Sequence, residues 1–242
     1  MCREVVLVLH GSADRRYHEA AVAFFSAWRQ HQPARSSHVC FLEHAEPLFA
    51  EKLAQLAASG SPVCILPLFL HQGMHSTRDI PDVMADIRQQ FPAADIRVGG
   101  VLDDTEAMAE ALTGRVGDTM PGAGAIVVLS HGADMAGTEK MVRQITSLVA
   151  EENRAAHVFP AWMTGTSTHL EDALEQLMKK GVDSVVVAPH LLLAGGWLGK
   201  VEALMDRYRR QFTHVSFALA PPLGTHPAIF RLMDARLTEA GA

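Results

Sequence analysis

The stretch PLFLHQGMHSTRDIP, Pro67 to Pro81, leaves an apolar run, turns at Gly73, presents His75 and enters a helical pattern behind Ser76. Strand, turn and helix in that order form the start of a βα unit, and ligands of open α/β sheets sit at the carboxyl ends of their strands. Two earlier runs end in the same manner. Val5 to Leu9 is apolar and β-branched, as a strand buried on both faces should be, and it stops at His10-Gly11-Ser12. His38 to Glu43 is a second strand, and Val63 to Leu70 a third.

Between these strands the period changes to that of helices. Tyr17 to Gln30 carries Ala20, Phe24 and Trp28 on one stripe. Glu46 and Pro47 read as the cap and first residue of a helix running to about Ala58. Ser76-Thr77-Arg78-Asp79 resembles a capping box with Asp in place of Glu, ahead of a helix to about Phe91. Asp95 to Val101 and Thr105 to Arg115 add a fourth strand and another helix. Strands alternating with helices predict a parallel sheet with right-handed crossovers.

Gly114 to Gly124 reads as a linker, and beyond it the pattern restarts. A displacement of about 121 residues puts His10 on His131, Leu53 on Leu174, Ala107 on Ala228 and Arg115 on Arg236. One residue more puts Pro67 on Pro189 and Gly73 on Gly195. The expectation is an α/β protein of two duplicated domains, 1–117 and 124–242, each a parallel sheet of about four strands flanked by helices. The copies differ where chemistry would reside. Glu43 falls on Thr164, Glu46 on Ser167 and His75 on Trp197. One active site is therefore expected, in 1–117, with 124–242 as a degenerate copy forming the other wall of a cleft.

Composition narrows the classes. The chain has 242 residues, 48% hydrophobic and 20% charged, with a net charge of −6. Neither an acidic balance nor the absence of a dense basic run suits nucleic acid, so no nucleic-acid partner is expected. No apolar run reaches the roughly 18 residues of a spanning helix and no signal peptide is visible, so no membrane partner and a cytoplasmic location are expected. Cys2, Cys40 and Cys64 are widely spaced without a CxxC, and are read as thiols.

Each of the three strand-exit residues alone has a bland reading: a satisfied strand end for His10, a solvated rim for Glu43, an exposed loop for His75. Together they converge on one sheet edge. Two imidazoles and a carboxylate match the preference of divalent first-row metals, and three protein ligands leave positions open for exchange. Glu46 competes with Glu43, which is preferred because it ends the strand; His18, His44 and His71 are nearby alternates. A metal carrier, a metallohydrolase and a small-ligand module are rival readings.

LHGS at residues 9–12, FLEHAEP at 41–47 and PLFLHQGMHSTRDIP at 67–81 occur in an order and separation that resemble the sirohydrochlorin chelatases of the CbiX/SirB type, in their long two-domain form. The resemblance spans essentially the whole chain. It implies insertion of Co²⁺ or Fe²⁺, with Ni²⁺ also considered, into sirohydrochlorin or a related tetrapyrrole, without ATP or another nucleotide. It maps metal binding and catalysis to His10, Glu43 and His75. No iron–sulfur cluster is expected, since the CxxC of some long forms is missing. Gln72-Gly73-Met74 replaces the small residues usual before the family's histidine. The substrate's carboxylates call for local donors. Ser12, Arg15, Arg16 and Arg78 are candidates beside the site, and Trp197 and Lys200 in the second half. A monomer or weak homodimer is expected.

Overall fold

Runs of valine, leucine and isoleucine buried on both faces need helices on both sides of the sheet they build. The computed structural model describes residues 4–132, 136–153, 155–165 and 168–241. In chain order it has β1 (Glu4–Leu9), α1 (Arg15–His31), β2 (Ser36–Phe41), α2 (Phe49–Ala58), β3 (Val63–Pro67), α3 (Ile80–Gln90), β4 (Ile96–Val98) and α4 (Thr105–Thr119). The second series is β5 (Ala125–Ser130), α5 (Ala136–Glu152), β6 (His157–Trp162), α6 (Leu170–Lys179), β7 (Ser184–Pro189), α7 (Gly196–Gln211), β8 (Ser216–Leu219) and α8 (Pro227–Glu239).

Two four-stranded parallel sheets result, ordered β2-β1-β3-β4 and β6-β5-β7-β8. Leu7 pairs with Val39 on one side and Leu66 on the other, so β1 is central and fully buried. The chain leaves β1 for β2 on one flank and then crosses to β3 on the other. Strand order reverses there, and side chains leaving the carboxyl ends of β1, β2 and β3 meet in the resulting crevice.

Helix stripes cover the sheets. Asp14 caps α1, its carboxylate accepting from the Arg16 and Tyr17 backbone N–H groups, and the helix buries Ala21, Phe24 and Trp28. Phe49, Leu53 and Ala57 of α2 and Ile80, Met84 and Ile87 of α3 pack with Val6, Val8, Val63 and Ile65. In the second sheet Leu170, Leu174 and Leu177 of α6 and Val201 and Met205 of α7 pack with Val127, Leu129, Val185 and Val187.

The chain divides into two compact units, 1–103 with 230–242, and 104–229. These differ from the sequence halves 1–117 and 124–242 by one exchanged helix each. α4 lies in the second unit, where Arg115 Nη2 donates to the Leu223 carbonyl at 3.1 Å and Asn153 Nδ2 to Thr113 Oγ1 at 3.1 Å. α8 lies in the first, where Arg236 Nε donates to the Val101 carbonyl at 2.9 Å and its Nη2 to Asp103 Oδ1 at 3.0 Å. Arg115 and Arg236, equivalent in the repeat, thus perform equivalent anchoring. Phe230 of α8 packs edge-on against Phe24 and Trp28, with ring centres 5.7 and 5.8 Å away. Phe230→Ala is expected to cost about 3 kcal/mol, measured as a lowered urea midpoint.

Local expectations changed in four places. α4 runs through Gly114 to Thr119, shortening the linker; Gly114 serves packing instead, since a Cβ there would lie 2.4 Å from His226 Nε2. α2 begins at Phe49 rather than Pro47: Glu46 Oε2 accepts from the Leu48 N–H at 3.0 Å, ahead of the helix. The expected capping box is not built, since Ser76 Oγ bonds the Gly73 backbone and the Asp79 carboxylate turns to His75. Cys40 is a free buried thiol, pushed up to about 12 by desolvation against the charge of Lys52. Cys64, expected to be a thiol, is disulfide-bonded, and Cys2 lies outside the described residues.

Candidate active site

The β1–α1 loop begins with His10 and turns at Gly11, whose φ of +99° lies in the left-handed region. The ladder continues past the strand ends, the Glu43 N–H donating to the His10 carbonyl at 3.0 Å. The Glu43 carbonyl then passes so close to Gly11 that a Cβ there would lie 1.7 Å from it. Glycine is what lets the two chain exits touch. Tyr17 reinforces the loop: burial pushes its phenol above the ordinary value, while a hydrogen bond with the Gly11 backbone pulls the other way.

Three side chains expected to act together do meet here. His10 Nε2 lies 3.0 Å from Glu43 Oε1, and its Nδ1 lies 2.8 Å from the Gly11 carbonyl. The His75 ring stands edge-on to His10 with centres 4.5 Å apart. His75 begins a single π-helical turn, His75–Asp79, that leads into α3. The wider turn sets Asp79 under the ring, and His75 Nδ1 donates to Asp79 Oδ2 at 2.6 Å. That bond orients the ring, as carboxylate partners of metal-binding imidazoles do. Phe69 flanks the same ring at 5.9 Å.

No group of three or more His, Cys, Asp or Glu side chains among the described residues is arranged to hold a metal ion as it stands. Glu43 Oε1 instead faces two imidazoles, His10 and, at 3.3 Å, His44. Asp79 escaped sequence reasoning because it was assigned to a helix cap. Its i,i+4 spacing from His75 was the available signal. Asp79→Ala is expected to weaken Co²⁺ binding about 10-fold or more, read by calorimetry.

The expected substrate contacts are more dispersed. Ser12 Oγ accepts from the Asp14 N–H at 3.1 Å and so helps build the α1 entry. Arg15 pairs with Glu19 at 2.8 Å, Arg16 lies 3.9 Å from Asp14, and Arg78 lies 3.7 Å from Asp82, all on exposed helix faces. Trp197 and Lys200 belong to the second unit. There Trp197 stands edge-on to His131 with centres 4.5 Å apart, and the Lys200 ammonium lies 4.4 Å over the indole. This ring pair repeats the His10–His75 arrangement, with an indole that cannot ligate in place of an imidazole. Thr164, in the place of Glu43, donates its hydroxyl to the His131 carbonyl at 3.0 Å.

The CbiX family profile matches residues 4–119 and again residues 125–240. The chain belongs to the CbiX family. The double match gives each half one CbiX repeat. Among relatives, a sirohydrochlorin cobaltochelatase of Priestia megaterium is 24% identical, over 98% of this chain and 79% of its own length. A sirohydrochlorin ferrochelatase of Bacillus subtilis is 22% identical, over 100% of this chain and 93% of its own. SirB from Bacillus subtilis with Fe³⁺ has the same fold, with a TM-score of 0.85 at 22% identity over 100% of this chain and 96% of that one.

Proposed function

We propose that this chain inserts a divalent metal, Co²⁺ or Fe²⁺, into sirohydrochlorin without ATP, through His10, Glu43 and His75. Membership of the CbiX family and the activities named for its relatives support the reaction class. The observation that carries the site is the meeting of His10, Glu43 and His75 at the switch point of the first sheet.

The metal is a substrate. In its absence His10 Nε2 faces Glu43 Oε1 at 3.0 Å. An entering cation takes His10 Nε2, a Glu43 oxygen and His75 Nε2 as ligands. Nitrogen and oxygen donors suit Co²⁺, Fe²⁺ and also Ni²⁺. Three ligands without thiolate hold the ion loosely enough to be passed to four pyrrole nitrogens.

As the dication enters the macrocycle, two pyrrole protons leave and the charge balances. Glu43 and His10, released from the metal, are the bases within reach. The substrate's carboxylates find donors in Arg15, Arg16 and Arg78. No resident cofactor or nucleotide enters the reaction.

The test is to mix the protein with sirohydrochlorin and Co²⁺, Fe²⁺ or Ni²⁺ in turn and follow the macrocycle's visible spectrum against a protein-free control. Faster insertion with at least one metal is expected. Rates equal to the control for all three exclude a chelatase. Tight metal binding without insertion would mark a carrier.

A further inference from the structure

His44 is the single non-glycine residue with a positive φ among the described residues, at 61°. Left-handed backbone crowds the Cβ of an L-residue, and glycine occupies it freely. The repeat shows what the turn alone requires. Position 44 corresponds to Gly165, whose φ is 100°. Both follow the same ladder bond, Glu43 N–H to the His10 carbonyl at 3.0 Å and Thr164 N–H to the His131 carbonyl at 2.9 Å. The half without a carboxylate uses glycine, while the half with Glu43 keeps a strained histidine.

The strain aims the ring. His44 Nε2 lies 3.3 Å from Glu43 Oε1, the oxygen that also faces His10 Nε2 at 3.0 Å. The His10 and His44 rings stand 6.4 Å apart, bracketing that oxygen from two sides. Glu43 is about half exposed and on a loop, and without a second tether its carboxylate would sample several rotamers.

We propose that His44 is a positioning residue, which holds the Glu43 carboxylate in its metal-accepting orientation by a close polar contact and is not itself a ligand. This rests on the metal site proposed above. Loss of the tether raises the entropy of ordering Glu43 when a cation arrives, so it weakens metal capture and acts on the metal KM more than on kcat.

The experiment titrates Co²⁺ alone into the full chain by calorimetry, comparing the parent with His44→Gly, His44→Gln and His75→Ala. His44→Gly copies the second half and relieves the strained backbone, so its melting temperature is expected to be no lower than the parent's. Its Kd for Co²⁺ is expected to rise about 10-fold. Glutamine carries an N–H of comparable reach, and His44→Gln is expected to stay within about threefold of the parent. Parent-like binding by His44→Gly overturns the proposal. A His44→Gln as weak as His44→Gly also overturns it, by making the ring itself a ligand. A different pattern, in which the parent takes up no Co²⁺ or His75→Ala binds as tightly as the parent, means that the metal site has failed and the His44 role with it.

Discussion

Replacing His75 with alanine is expected to lower kcat/KM for Co²⁺ insertion by about 100-fold or more while leaving the fold intact. The side chain is partly exposed, and its π-helical turn buries nothing, so little stability is at stake. What would be lost is one of the two imidazole nitrogens proposed as metal ligands. Asp79 aligns the first ring nitrogen and so presents the second to the space beside His10. His75→Trp is the sharper variant. It installs the residue of the second half, whose edge-on pair with His131 already has the same 4.5 Å spacing. An insertion rate unchanged in both variants would remove His75 from the site while leaving the reaction class standing.

Gly11→Ala is expected to be a strongly damaging single methyl. The added carbon would lie 1.7 Å from the Glu43 carbonyl oxygen, and the backbone there has a φ of +99°. Neither strain can be relieved by a rotamer, because the obstacle is backbone. Either the β1 and β2 exits part, breaking the ladder bond between Glu43 and His10, or the loop refolds. The cost is expected to be about 3 kcal/mol, read as a lowered urea midpoint. Metal insertion should fall further than stability explains, since the parting separates His10 from Glu43. Gly60 offers a control: it has a φ of +71° with nothing near its missing Cβ, so alanine there strains the backbone without touching the site.

Much of the fold was legible because burial on both faces leaves no polar alternation to confuse. Val5–Leu9 and Ala125–Ser130 could be little else than central strands. The repeat then converted one reading into two. Exchange of α4 and α8 was not legible, and the reason is the duplication itself. The stripe Met108, Leu112, Val116 fits a sheet of this pattern, and the chain contains two such sheets. Periodicity says that a helix covers a sheet, and here it could not say which.

Of the proposed site, His10, Glu43 and His75 were legible by their place at strand exits, which topology fixes. The parts proposed for Asp79 and His44 were less so, since both would act through contacts with a neighbouring side chain. Asp79 resembled a helix cap, and His44 stood only as one of three nearby alternates, beside His18 and His71. Its backbone conformation, which sequence does not show, set it apart.

The decisive observation is the position of the metal. Crystals of the protein grown with Co²⁺ and measured at the cobalt absorption edge are expected to give an anomalous peak within bonding distance of His10 Nε2, a Glu43 oxygen and His75 Nε2, about 2 Å from each. A peak elsewhere on the chain, or one that contacts neither histidine, would contradict the assignment of these residues to the metal.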